Sequence, residues 1–317
     1  MVIFAGWVPP AIASRALDYF SHKHIECKSI QCLDGKSGEV MINFKSMEAE
    51  LRERVRSDEA MYGSRETKTD SLWGHLERVA GFAEKLGIEE GLDPVACRLA
   101  GLFHDAGKFA GGSYHDGDIP EEMQSVDVLR LLAEKFGLGD GIVSDVENAI
   151  LQLYIDEGPT TLLAQVLFDA DNLDKLGPLG IANFFIKSGL RGKGISTELL
   201  SSLTVELTYA RYAGQCMATG SGRILAERRA NRTISFIHEL LDSLREDGIY
   251  DFQVVQELFD DLTLDVAAPK SCLCGGDISR RIWGEKGVKC SEIHLEHTCV
   301  ECGSSHKFRF CRPRLIS

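Results

Sequence analysis

His75, the adjacent pair His104-Asp105 and Asp171 are the residues of this 317-residue chain whose types and spacing point most directly to chemistry. They follow the pattern H-x28-H-D-x65-D. Imidazoles combined with carboxylates suit Mn, Fe, Co, Ni or Zn, with Mg also admissible. Four such ligands leave coordination positions open, so a bound water can approach a neutral pKa and a substrate phosphate can fill another position. Each residue taken singly has a plainer reading. A histidine on an apolar helix face is usually a hydrogen-bonded core residue, and an aspartate at a helix end is usually a cap. The conjunction favours the metal, together with Asp169 and Asp174, which crowd the apolar segment around Asp171. Carboxylates near a core are costly, and a cation offsets that cost.

Cations suited to phosphate lie nearby in sequence. Lys108 follows His104 by four positions, one turn away if the helix continues. Lys187, Arg191 and Lys193 border the glycine-rich run Ser188-Gly-Leu-Arg-Gly-Lys-Gly194, where backbone N–H groups can approach an anion. A solvated loop is the competing reading. Arg223, Arg228, Arg229 and Arg232 are expected on the surface or in salt bridges of a helix.

A second ligand set lies at the C-terminus. Six of ten cysteines fall within the last 46 residues, and Cys272-Leu-Cys274 is separated from Cys299-Val-Glu-Cys302 by 24 residues. Two close thiolate pairs flanking a hairpin-length stretch form the arrangement of a zinc ribbon. The expectation is one closed, structural zinc, remote from small-substrate hydrolysis. Cys290, Cys311, His294, His297 and His306 are further ligand types here, and His22, His24, Cys27 and Cys32 form a weaker set near the N-terminus.

The elements that must position these residues are mostly helices. From about residue 70 to 246, apolar residues recur at i, i+3, i+4 and i+7, as in Leu72, Leu76, Val79, Ala83 and Leu86. Asp93-Pro94 reads as an N-cap followed by proline at the first helical position, and further helices are expected at 123–136, 142–155, 160–176, 179–188, 197–216 and 221–245. The predicted organisation is mainly α. It comprises an N-terminal segment at 1–66, an all-helical domain at 67–246, a linking helix at 247–267 and a zinc-ribbon-like domain at 268–317. The N-terminal segment is expected to be α/β-like, with a short helix at Ala11–Phe20, a hairpin of residues 25–30 and 39–44, and a polar stretch at 56–70.

The resemblance carried by these motifs is to the HD superfamily of metal-dependent phosphohydrolases, whose pattern is a His, a His-Asp doublet and a distant Asp on an all-helical fold. The chain is especially similar to the small stand-alone HD hydrolases, some of which act on nucleotides. It has Asp169-Ala-Asp-Asn-Leu-Asp174 and Gly177-Pro-Leu-Gly-Ile-Ala182 where they have an Asp-Ala-Asp-x-Leu-Asp segment and a Gly-x-x-Gly-Ile-Ala helix. Thr219-Gly-Ser-Gly222-Arg-Ile-Leu225-Ala-Glu-Arg228-Arg229 matches their closing helix. The resemblance implies His75, His104, Asp105 and Asp171 as metal ligands. Two-metal members carry a further histidine where this chain has Tyr154 and Ile155, and His115 follows the doublet closely, so one metal is expected.

Charge and composition bound the partners. The net charge is −13, yet residues 268–317 carry nine basic and five acidic side chains, leaving −17 on the rest. Such a body does not bind long nucleic acid by general electrostatics; the tail, with Lys307, Arg309, Arg312 and Arg314 among Phe308 and Phe310, is the segment suited to it. No apolar run is long enough to span a bilayer, and a cytoplasmic location without membrane contact is expected. The expected activity is metal-dependent hydrolysis of a phosphate ester or anhydride in a nucleotide-type small molecule, with Asp105 and Lys108 in catalytic roles. A nuclease using the ribbon to hold RNA or DNA, and a non-catalytic nucleotide sensor, are the alternatives; homo-oligomerisation stays open.

Overall fold

The computed structural model describes residues 44–63, 71–112, 119–153, 155, 158–286 and 291–316. The expected N-terminal helix and hairpin, with His22, His24, Cys27 and Cys32, fall outside these residues, as do His115, Tyr154 and Cys290. Among the described residues, nine α-helices precede five strands. The helices are α1 (Phe44–Gly63), α2 (Ser71–Glu89), α3 (Pro94–Phe103), α4 (Glu121–Phe136), α5 (Asp140–Leu151), α6 (Leu162–Asp174), α7 (Gly177–Leu190), α8 (Thr197–Tyr212) and α9 (Gly220–Glu246). The strands are β1 (Phe252–Phe259), β2 (Leu262–Pro269), β3 (Ile278–Lys286), β4 (Ser291–Cys299) and β5 (Ser305–Cys311).

Local chemistry sets the helix ends. The Asp93 carboxylate accepts the Val95 N–H ahead of α3, Ser196 caps α8, and Thr219 caps α9 through the Gly222 N–H. Gly137, in the left-handed region, closes α4. Helix α1 is an addition to the sequence reading, which left residue 44 in a strand and 56–63 in a polar stretch. Met47, Leu51 and Val55 recur every fourth residue and are fully buried against the main core, but the charged residues around them mask so narrow a stripe.

Helices α2 and α3 cross at close quarters because Gly101 faces Ala80. A Cβ on Gly101 would lie 2.4 Å from the Ala80 Cα. That approach lays the end of α3, where His104 sits, beside the middle of α2, which carries His75. Helix α6 packs on both.

Residues 252–269 form an antiparallel hairpin, not the expected linking helix. Phe252, Val255 and Phe259 fit helical spacing, but in the strand Phe252 and Val254 face one apolar cluster and Val255 and Phe259 the other, so both faces are apolar and the period of two is hidden. The tight turn at Asp260-Asp261, with Asp260 at φ 52°, suits a two-residue connection. Helix α8 then holds the free edge of β2. The N–H groups of Thr263, Asp265 and Ala267 donate to Tyr212 Oη (2.7 Å), Thr208 Oγ1 (3.3 Å) and Thr204 Oγ1 (3.0 Å). Alternate residues of an extended strand advance by about the same length as one helical turn, so the two series stay in register. The Arg211 guanidinium adds a paired contact to both Asp265 carboxylate oxygens, at 2.7 and 2.6 Å.

Strands β3, β4 and β5 form an antiparallel sheet in that order. It shares an apolar layer with β2, including Leu264, Val266, Leu295 and Phe310, against which Val205 and Tyr212 of α8 also pack. No helix among the described residues is long and apolar enough to cross a membrane.

Candidate metal centre and adjoining cleft

Helix α3 ends at Phe103, and residues 104–109 continue as tight turns. The ending lets His104 and Asp105 face the same region. The His104 ring is buried, and its Nδ1 lies 2.8 Å from the Gly101 carbonyl oxygen. On α2, His75 Nδ1 lies 2.9 Å from Asp174 Oδ2, and Arg78 holds the same carboxylate at 2.6 and 3.0 Å. With both Nδ1 protons donated in this way, each ring presents an Nε2 lone pair.

Those two Nε2 atoms are 3.3 Å apart. Asp171 Oδ1 lies 3.4 Å from His75 Nε2 and 3.9 Å from His104 Nε2. Donors bound to one metal at about 2.1 Å stand roughly 3.0–3.4 Å from one another in octahedral or tetrahedral sets. Two converging lone pairs with a carboxylate therefore fit a divalent ion far better than they fit one another. Asp105 Oδ2 sits slightly further out, 4.0 and 3.9 Å from the two Nε2 atoms. Lys108 Nζ is on that oxygen at 2.5 Å, although the helix does not continue to it, and Lys175 Nζ is on Asp171 Oδ2 at 3.0 Å.

The electrostatics suit ligation. Burial pushes the His104 pKa down against the pull of Asp105. Burial alone would raise Asp105 and Asp171, but His104 and Lys108 for the first, and Lys175, His75 and His104 for the second, hold both well below the usual carboxylate range. Asp174 is likewise lowered, as its bonds to His75 and Arg78 outweigh its burial.

Two residues act differently from the sequence reading. Asp169 does not join this set. It is fully buried and accepts from Ala218 N, Thr219 N and Thr219 Oγ1 at 2.6–2.8 Å. It thereby fastens the start of α9, and Gly222 is required there because a Cβ would lie 2.1 Å from Asp169 Oδ2. Arg229 is no surface residue: its guanidinium binds the Leu173 and Leu176 carbonyls at the end of α6 and lies over the Phe82 ring.

A cleft of about 370 Å³ adjoins the centre, within the size range of small-molecule sites. Its lining joins His75 and Asp174 to the three cations expected to hold phosphate, Lys187, Arg191 and Lys193. Desolvation, with the like charges of Lys108 and Lys175, pushes the Lys187 pKa down. Phe184, Val205 and Glu206 also line it, as do Phe308 and Arg309 of β5. The C-terminal strands thus border the cleft and are not remote from it. Glu206 and the β5 pair carry no local sequence signal, since only tertiary packing brings them here.

The four cysteines expected to hold zinc come together. Cys272 Sγ lies 3.7 Å from Cys302 Sγ, and Cys274 Sγ lies 3.5 Å from Cys299 Sγ. All four sulfurs are within 4.8 Å of one another. Tetrahedral zinc with bonds of about 2.3 Å spaces its sulfurs by roughly 3.75 Å, so the set fits. Among the described residues Cys311, His294, His297 and His306 are not part of it.

Asp174→Asn keeps the shape of the group holding His75 but removes its charge. It is expected to weaken metal affinity by about 10–100-fold with helical circular dichroism retained; unchanged affinity in a metal titration would show that Asp174 does not orient the ligand. Glu206 gives a pH signature. Desolvation, opposed by Lys187 and Lys175, raises its carboxyl from 4.5 to about 7. Between those values the folded chain keeps a proton that the unfolded chain has lost, so this group makes stability fall as pH rises. Relative to wild type, Glu206→Gln should therefore gain melting temperature progressively from pH 4.5 to 7 and hold the gain above it. Parallel curves would contradict the assignment.

The helical part of the chain is similar in sequence to known proteins. Residues 72–176 match the family model of the HD domain, an interval containing all four expected ligands. The chain is 28% identical over 175 residues to the uncharacterized protein YpgQ of Bacillus subtilis, covering 53% of this chain and 82% of that one. A crystal structure of B. subtilis YpgQ in complex with ADP aligns at 26% identity and a TM-score of 0.47, over 63% of this chain and 95% of that one. Ribonuclease Y of Ureaplasma parvum is 25% identical over 145 residues, 46% of this chain but only 28% of that protein. The part of the chain that carries the four expected ligands is thus the part that matches the HD domain model, about a third of its length.

Proposed function

We propose that this protein hydrolyses a phosphate ester or anhydride in a nucleotide-type small molecule, using one divalent metal held by His75, His104, Asp105 and Asp171. The observation that carries the reading is the meeting of two Nε2 lone pairs and a carboxylate with a small cleft whose walls bear Lys187, Arg191 and Lys193. A divalent ion in that position supplies a water of lowered pKa and polarises a phosphoryl oxygen. The side chains do the rest. Asp174 and the Gly101 carbonyl fix the two rings, and the cations of the cleft bind and orient the phosphate. Lys108, one contact away from His104 through Asp105, is placed to offset negative charge developing beside the doublet.

Binding of a long nucleic acid through the C-terminal strands has less support. The basic residues there are largely met by acidic ones: Lys307 by Glu296 at 3.2 Å, Arg309 by Glu292 at 3.0 Å, and Arg312 by Asp260 and Asp261. A surface so compensated offers little net field to a polyanion. We assign the cysteine set one structural zinc, because four thiolates leave no position for a reacting water.

Asp105→Ala is expected to cut hydrolysis by at least about 100-fold and to lower bound metal, with helical content intact. The assay is a screen of nucleoside mono-, di- and triphosphates, cyclic nucleotides and short oligonucleotides with each divalent metal and product identification. Undiminished turnover in a metal-analysed Asp105→Ala protein would remove the doublet from the mechanism. The double variant Cys299→Ser, Cys302→Ser should release one zinc per chain and expose residues 268–317 to protease; retained zinc and protection would refute the structural site.

A further inference from the structure

The C-terminal strands do more than sit beside the HD domain. We propose that β5 forms the base-recognition wall of the active-site cleft, with Phe308 and Arg309 contacting the nucleoside portion of the substrate whose phosphates lie toward His75. The inference rests on the hydrolase reading above for the phosphate end, and adds the identity of the group that selects the other end.

The cleft's lining divides by chemistry. Near the metal centre it offers His75 and Lys175, and along α7 and the loop after it Lys187, Arg191 and Lys193. A phosphate chain needs these. Besides Asp174, Gly180 and the small polar groups of Asn183, Ser188 and Ser202, the lining has a part of another kind: Phe184 from α7, Val205 and Glu206 from α8, and Phe308 and Arg309 from β5. Two aromatic rings from separate elements, an aliphatic side chain, one carboxyl and one guanidinium do not describe a second phosphate site. They suit a flat, polar-edged heterocycle, which stacks on aromatic or guanidinium faces and hydrogen-bonds at its rim. Arg309 gives one nitrogen to Glu292 and, with five N–H donors on its fork, retains others for a ligand.

The wall is held rigidly, as recognition requires. Helix α8 supplies Val205 and Glu206 to the cleft, and the same helix binds β2 through Thr204, Thr208, Arg211 and Tyr212. It also meets β5 directly, with Ser201 Oγ 3.4 Å from His306 Nε2, two residues before Phe308. Phe308 packs into the shared apolar layer and stands edge-on to the His297 ring. The cysteine set closes the turns that lead into β3 and out of β4, so bound zinc would fix the sheet whose edge strand is β5.

ADP and inorganic pyrophosphate share a diphosphate and differ by the nucleoside, so the pair isolates this wall. Both are titrated calorimetrically into the full chain with Mn²⁺ and loaded zinc, comparing wild type with Phe308→Leu, which keeps apolar volume, and Arg309→Gln. Zinc content and melting temperature establish that the strands stay folded. The expected result is a loss of about five- to tenfold in ADP affinity for each variant, with pyrophosphate affinity changed less than twofold. Equal losses for both ligands, or no loss for ADP in folded variants, would overturn the proposal. So would a wild-type chain that binds pyrophosphate as tightly as ADP, a result that leaves the hydrolase reading intact. Conversely, selective loss of ADP affinity in a protein that turns over no phosphate compound supports the wall and refutes the hydrolase reading.

Discussion

Two imidazoles aim their Nε2 lone pairs at one point only when each Nδ1 proton is committed elsewhere, and this structure is arranged around that condition. For His104 the commitment is local, to the Gly101 carbonyl one turn back on the same helix. For His75 it is long-range, to Asp174 on α6, 99 positions away, with Arg78 holding the far side of the carboxylate. The α2–α3 crossing must be close enough to bring the rings together, and Gly101 permits it by presenting no side chain to Ala80. The end of α6 must in turn be fixed, which Arg229 does from the closing helix by binding the Leu173 and Leu176 carbonyls. Helix α9 is itself fastened by Asp169 through its cap. The Asp-Ala-Asp-x-Leu-Asp segment therefore holds three carboxylates with three tasks: Asp169 anchors a helix, Asp171 faces the two imidazoles, and Asp174 orients the His75 ring.

Much of this was legible because the centre is built from helices with regular spacing. A histidine on the apolar stripe of α2, a doublet at a capped helix end and an aspartate in an apolar segment are local signals. The roles of the outer carboxylates were not legible, since Asp169 and Asp174 differ only in what packs against them. Residues 252–269 defeated periodicity because β1 buries apolar residues on both faces, Phe252 and Val254 on one and Val255 and Phe259 on the other, and the strand is settled by the side chains of α8 on the free edge of β2. Phe308 and Arg309 reach the cleft across more than a hundred residues from Lys193, and no sequence window contains both.

The two metal-type sets serve different ends in one architecture. The His and Asp set mixes nitrogen donors with carboxylates, whereas the cysteine set offers thiolates alone. A segment of some 50 residues has too little core to hold its shape unaided. The strands obtain support from the cysteine set at one end and from α8 along β2. That double attachment holds β5 beside a cleft whose other lining residues come from the helices and the loop after α7.

The most direct measurement is anomalous diffraction from crystals grown with Mn²⁺, recorded at the manganese and zinc edges. The account predicts one manganese about 2.0–2.3 Å from the Nε2 atoms of His75 and His104 and from carboxylate oxygens of Asp105 and Asp171, and one zinc about 2.3 Å from Cys272, Cys274, Cys299 and Cys302. Manganese absent from the histidines at saturating concentration, or found only elsewhere on the chain, would contradict it.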